Sequence, residues 1–260
     1  MHMRQGMKPA IAAALLSPIF LAGSAATVVA DNPTDLQRLL ISQQCVGCDL
    51  SGVVLAGMRL IGANLLRADL QAASLQDVIL TDGNLQAADL TGANLQAAAL
   101  TRAVLVGTTL VDTNLTAASL SSADLTGAIL QGADLTSAIA PEANFTDADL
   151  TAATLAGAVF TKASFTGANL SAANLQGAEL NRAYLLRAEL TDANLRDANF
   201  SRARLVRSNL NGADLTDASL LNAQLSRTSF EGAIFCRTTM PDGTQNDDDC
   251  AVEPLSHVNN

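Results

Sequence analysis

From Leu50 to Met240 every fifth residue is Leu or Phe, with two exceptions, Ala140 and the closing Met240. The run holds 31 Leu and 6 Phe over 39 positions and never slips. Two residues before each position there is usually an Ala, without a break from Ala118 to Ala203. The residue between is often Asp or Asn, as in Asp69-Leu70, Asn94-Leu95 and Asp214-Leu215. A period of five fits neither regular structure. On an α-helix five residues advance about 140° net, so the leucines would spiral over every side. On a flat strand alternate leucines would point to opposite faces. All of them are buried only if the chain turns a corner about once per five residues, and four corners close a coil. Leu or Phe and the small residue two before it then point inward. The other three positions face out, and Gly and Asn ease the turns. The composition agrees: hydrophobic residues make up 49% but aromatics only 3%, with no Trp, as in a core of regular Leu and Ala layers.

The motif, here Ala68-Asp69-Leu70-Gln71-Ala72 and Ala168-Asn169-Leu170-Ser171-Ala172, resembles that of the pentapeptide-repeat family, A-(D/N)-L-x-x. The resemblance covers residues 48–240 and implies an all-β fold: a right-handed quadrilateral β-helix, or β-solenoid, with four five-residue sides per coil. Residues 48–240 then make roughly nine and a half coils, a rod on the order of 45 Å long at about 4.8 Å per coil. Such a stack needs covered ends.

Residues 1–30 have a basic start (Arg4, Lys8), an apolar stretch from Ala10 to Ala22 and small residues up to Ala30. That is the order of a cleaved secretory signal peptide. Pro18, Gly23 and Ser24 weaken a membrane-spanning alternative, so no stable membrane insertion is expected after cleavage. Residues 31–47 are expected to be a capping helix and lead-in loop. Asn32 suits the N-cap, Pro33 the first helical position, and Leu36, Leu39 and Leu40 fall on one face. Family members often begin with such a helix running into C-x-x-C-D-L, here Cys45-Val46-Gly47-Cys48-Asp49-Leu50. Residues 241–260 are expected to be a polar tail or cap.

Export implies an oxidising destination: periplasm, thylakoid lumen or exterior. Cys236 and Cys250 are expected to close the C-terminal cap as a disulfide. Cys45 and Cys48 have three readings: a structural disulfide or buried thiols, a redox pair, or half a zinc site. The first is preferred, because the pair follows a helix instead of opening one, and further zinc ligands lie about a rod's length away. Asp242, Asp247, Asp248 and Asp249 do not match an EF-hand loop and read as a solvated acidic tail.

Removal of residues 1–30 leaves 13 basic against 25 acidic residues and one histidine, His257. The first count argues against sequence-independent nucleic-acid binding. The second leaves almost nothing from which to build a histidine-dependent catalytic or metal site. No catalytic residue, metal or cofactor is assigned, and the chain reads as no enzyme. The expected function is an exported structural or protein-binding scaffold for a protein or other anionic partner. The alternative is a DNA-mimic topoisomerase inhibitor, since family members that confer quinolone resistance resemble this acidic rod; export disfavours it.

With twenty residues per coil, Arg182 stacks on Arg202, Arg187 on Arg207 and Tyr184 on Arg204. These six form the candidate partner patch, against the alternative that Glu179 and Glu189 neutralise it. Ala140-Pro141 reads as a lesion in the repeat, either a tolerated bend or a binding notch.

The inward assignment is testable. Leu175→Asp buries an unpaired carboxylate at a cost of several kcal/mol, whereas Gln176→Asp faces water and is nearly neutral. Thermal melts should show a large loss for the first and almost none for the second; equal melting temperatures would refute the assignment.

Overall fold

A computed structural model of the chain describes residues 33–250. The predicted signal peptide, residues 1–30, and the end of the predicted tail, residues 251–260, lie outside the described residues. Among the described residues no helix is long and apolar enough to cross a membrane.

Parallel bridges join residues twenty apart without interruption, from Gln44 with Asn64 to Ser219 with Thr239. Each turn of the solenoid therefore takes four five-residue segments. The segment that starts at Leu170 accounts for all five of its backbone donors. Leu170 N–H reaches Glu189 C=O on the next coil at 2.7 Å, and Ala172 N–H reaches Thr191 C=O at 2.9 Å. Ala173 N–H folds back to Leu170 C=O at 3.1 Å, and Asn174 N–H reaches Ala153 C=O on the previous coil at 2.9 Å. The fifth donor, Ser171 N–H, points away from both neighbouring coils and is accepted by Asn169 Oδ1 at 3.1 Å. The frequent Asp or Asn before the leucine thus has a definite role: it accepts the one amide that the ladder leaves over.

The bond from the fourth residue back to Leu170, with a positive φ at Ala172, defines a type II turn. The same left-handed residue recurs at every fifth position from Gly47 to Arg237. Gly fills twelve of the positions from Gly52 onward, but Ala, Asp, Ser, Asn, Arg, Lys and Glu fill the rest, and none is Val, Ile or Thr. β-branched side chains tolerate this conformation worst. Three turn aspartates, Asp112, Asp147 and Asp192, lean onto the next coil at Gly132, Gly167 and Gly212, where an added Cβ would collide with the carboxylate.

The inward set forms one continuous core. The Leu and Phe positions through Leu220 and the small positions between them are almost completely buried, apart from the partly exposed Met58. Thr108 and Thr113 replace Ala inside and donate their hydroxyls to Leu85 and Leu90 C=O, each at 2.8 Å.

The expected lesion at Ala140-Pro141 is neither a bend nor a notch. Ala140 N–H still reaches Val159 C=O at 2.8 Å, and Glu142 N–H reaches Thr161 C=O at 3.0 Å. Pro141 occupies the second position of a type II turn, which favours proline. Its missing N–H is the leftover amide of the segment, and the residue that would accept it is here Ile139, which has no acceptor. Volume is restored nearby. Phe145 follows on the next side and Phe160 on the next coil, their rings 5.7 Å apart edge to face, and Phe145 stacks on Phe165 at 4.9 Å.

Both ends are closed by carboxylates. Helix α1, Pro33–Ser42, buries Leu39 and partly buries Leu36 against the first coil. Leu40, expected on the same face, is 46% exposed: the covered stripe is one residue narrower than the spacing suggested. Asp35 on α1 accepts Asp49 N–H at 3.0 Å. On later coils the equivalent amide bonds to the coil before, as Asp69 N–H does to Cys48 C=O at 2.8 Å. At the far end the described part of the tail is an ordered hairpin, strand β1 at Thr238–Thr239 pairing antiparallel with β2 at Gln245–Asn246. Asp249 Oδ2 accepts Phe235 N–H and Asp247 Oδ1 accepts Arg237 N–H, each at 3.0 Å. These are the donors that would reach up to another coil. Asp247 and Asp249, expected to be merely solvated, replace its carbonyls. Cys236 is bonded to Cys250 and Cys45 to Cys48, with Cα–Cα distances of 4.6 and 5.2 Å.

Two predictions follow from the turns. Ala172→Val should destabilise by at least about 1 kcal/mol through left-handed strain, while Ala172→Gly should be neutral or stabilising. Urea unfolding of the pair measures the difference; equal midpoints would contradict the strain. The second concerns acid. Burial of Asp149 would raise its pKa, but hydrogen bonds from Thr151 Oγ1 and N–H and from Gln131 outweigh this and hold it below the usual value. Asp134 and Asp214 behave alike, with Thr136 and Thr216 as leading donors. A depressed folded pKa contributes stability that is present above the unfolded value, about 3.9, and lost as pH falls through the folded one. Urea midpoints should therefore drop on acidification below about pH 4. Asp149→Asn should lower stability near neutrality and flatten that drop.

Candidate functional site

The turn position that must adopt positive φ also points outward, so the corners of the rod carry charges in columns twenty residues apart. Where a base follows an acid up a column, the two pair across one coil. Arg102 contacts Asp82 at 2.7 Å, Lys162 contacts Glu142 at 2.9 Å and Arg237 contacts Asp217 at 2.6 Å. The guanidinium hydrogen bond from Arg102 holds the Asp82 carboxyl below its ordinary pKa, and Arg237 does the same for Asp217. Arg196 pairs with Asp214 at 3.0 Å, and Arg38 with Asp35 within α1.

One face breaks this rule. Arg182 and Arg202 succeed one another in a corner column, above Lys162, which is already occupied by Glu142. Arg187, Arg207 and Arg227 form the next corner column, base on base on base. Between these corners lie Tyr184, Arg204 and Gln224, successive members of one bridge column. All six arginines are exposed and none makes an ion pair. Among the described residues only Arg59 and Arg67, near the other end of the rod, are likewise free of ion pairs. Arg204 lies over Tyr184 at 5.8 Å from the ring centroid, a cation–π contact that offsets part of the crowding.

The two glutamates that could have neutralised the patch make no ion pair with it and instead accept from neutral amides. Glu179 accepts Asn199 Nδ2 at 2.7 Å, and Glu189 accepts Asn209 Nδ2 at 2.8 Å. Each sits one face away from Tyr184, on either flank. Two hollows adjoin these arginines, the larger on the neighbouring face that carries Glu179 and the smaller on the Tyr184 face. An open groove of about 400 Å³ lies along the Arg182–Arg202 corner, with Glu179 and Leu221 at its sides. A smaller hollow of about 130 Å³ is lined by Thr166, Tyr184, Leu186, Arg204 and Val206.

The six residues picked from the sequence are thus brought together, on one face and its two bounding corners. Two features were missed. Arg227 extends the column to a third coil and would have emerged from the same twenty-residue count taken once more. The hollow by Leu186 and Val206 gives no sequence signal, because these residues stand where Thr126, Thr146 and Thr166 stand on earlier coils. His257 lies outside the described residues. The arrangement offers concentrated positive charge, an aromatic surface and a little apolar area: chemistry for holding an anion.

A family model described as pentapeptide repeats matches in 8 copies, over residues 44–86, 93–132, 128–167, 143–181, 168–206, 193–232 and 203–240. No curated protein matches the chain. Among solved structures, HetL, a pentapeptide repeat protein involved in heterocyst differentiation regulation in the cyanobacterium Nostoc, is 30% identical. The match covers 83% of this chain and 99% of HetL, at a TM-score of 0.39. A pentapeptide repeat protein of the Arabidopsis thaliana thylakoid lumen is 31% identical over 38% of this chain and 70% of its own, at a TM-score of 0.36. QnrB1, a plasmid-mediated fluoroquinolone resistance protein, is 17% identical over 69% of this chain and 90% of its own, at a TM-score of 0.40.

Placing an acid beneath a base should rebuild the ion pair seen at Asp82 and Arg102. Arg182→Glu, with Arg202 above it, should exceed Arg182→Gln in stability by about 0.2–1 kcal/mol. Denaturant midpoints of the two variants give the difference, which should shrink in high salt.

Proposed function

The chain belongs to the pentapeptide-repeat family, and from that premise we propose that it is an exported, non-enzymatic scaffold whose arginine face docks an anionic partner. The β-helix solenoid is read as right-handed and quadrilateral, since four five-residue segments make each coil. Residues 1–30 are read as the signal peptide, 31–47 as capping helix and lead-in, 48–240 as the solenoid and 241–260 as the C-terminal cap. Two cystines and the basic-then-apolar N-terminus support a destination in the periplasm, thylakoid lumen or exterior.

One observation carries the reading. In a chain of net charge −10, six arginines without ion-pair partners gather on one face and its two corners, whereas Arg102, Lys162 and Arg237, at equivalent corners, each stand over an acid and pair with it. Unpaired like charges on neighbouring coils destabilise the rod slightly, and a bound carboxylate or sulfate would relieve them. The DNA-mimic alternative draws on the overall acidity. An acidic column does run along the rod, through Asp49, Asp69, Asp89, Asp149 and Glu189, but the expected export would keep it from a topoisomerase.

Capture from the exported fraction tests the proposal. Changing Arg182, Arg202 and Arg207 together to Gln should remove the captured partner or its salt sensitivity, with the circular dichroism spectrum unchanged. Retention of every partner at the same salt sensitivity would reduce the face to a solvated surface. Capture of a topoisomerase by the mature protein, found in the cytoplasm, would favour the DNA-mimic reading instead.

A further inference from the structure

The face is more than a patch of positive charge. The Arg182–Arg202 corner and the Arg187–Arg207–Arg227 corner bound it on opposite sides, and the hollow of about 130 Å³ lies between them. That hollow has an aromatic wall in Tyr184, 45% exposed, and an aliphatic floor in Leu186 and Val206. Arg204 is held over Tyr184, so the middle of the face also carries a fixed guanidinium.

This order of cation, apolar hollow and cation suits a ligand with the complementary order. A uniformly sulfated polysaccharide or an anionic bilayer presents charge without an aliphatic group at a set distance between two charges. An extended acidic peptide does, because residues i−2, i and i+2 of a strand point to the same side and span about 13 Å. Main-chain pairing to the rod contributes nothing here, since the backbone amides of this face are already bonded from coil to coil. Arg204 donates to Ala183 C=O at 2.9 Å, Leu185 to Arg204 C=O at 2.8 Å and Arg187 to Val206 C=O at 3.0 Å. Recognition must come from side chains. The geometry points to an acidic peptide segment of a partner protein, of the form acid-x-aliphatic-x-acid, crossing the face with its aliphatic side chain in the hollow and its carboxylates on the two arginine corners. This inference rests on the docking role proposed above.

The test uses the purified protein and a fluorescein-labelled peptide Glu-Ser-Leu-Ser-Glu, followed by anisotropy at low and physiological salt. Peptides with the central Leu replaced by Ser, or both Glu replaced by Gln, serve as comparisons, along with dextran sulfate and phosphatidylglycerol vesicles. The leucine peptide should bind at least about tenfold more tightly than its serine counterpart, as burying one aliphatic side chain implies. Val206→Asn should abolish that preference and leave the acid requirement. Arg182, Arg202 and Arg207 changed together to Gln should abolish binding of both acidic peptides. If the two acidic peptides bind equally, or if dextran sulfate or the vesicles bind more tightly than the leucine peptide, the acidic-peptide assignment is overturned and the anion-docking face stands. If no anion binds, the docking role itself fails.

Discussion

The fold depends on one hydrogen-bonded turn, made once per five residues, with its third residue held at positive φ. A left-handed residue is strained for any side chain but Gly, on the order of 1 kcal/mol each. The chain places non-glycine residues there again and again. It tolerates them because each turn lets two flanking amides bond to adjacent coils and two side chains enter the core. Coil after coil reinforces the same geometry, so the strain is distributed and outweighed locally. The choice of residues follows: Gly, Ala and short or unbranched polar side chains are accepted, and β-branched ones are excluded.

This explains how much of the molecule was legible. Period five named the inward set, Leu175, Ala178 and Leu180 among them, because burial admits no other solution at that spacing. The twenty-residue coil then put Arg182 beside Arg202 and Tyr184 beside Arg204 by counting alone. What stayed hidden depends on hydrogen-bond accounting within a turn. Pro141 interrupts the sequence pattern, yet it stands at the one position of the segment that needs no donor. Asp247 and Asp249 looked like solvated acids, because only the geometry of the last coil shows which amides lack a carbonyl. Leu40 fell on the apolar stripe by helical spacing, yet the end of a narrow coil covers little more than Leu39 and Leu36.

The surface is free in a way the interior is not. Inside, each position is fixed as Leu, Phe or a small residue by the layers above and below. Outside, three residues in five vary with little effect on the backbone, so charge is placed by other needs. Three corner bases stand over acids and pair with them, each pair worth little in water. The arginine face departs from that pattern within the same rod, on the same kind of turn, so the backbone cannot be its cause.

The carboxylate-closed ends have a consequence for how such a chain changes length. Asp35 satisfies the first coil, and Asp247 and Asp249 the last, without reference to how many coils lie between. Segments can be gained or lost in the middle while the termini stay sealed. Loss of five residues preserves every inward leucine, since it respects the repeat, but rotates everything beyond it by a quarter turn. Removing one segment between Arg187 and Arg202 would leave a folded rod in which Arg202 no longer stood over Arg182. Folding counts this chain in fives, whereas any surface spanning two coils counts it in twenties, and only insertions and deletions of whole coils are silent to both.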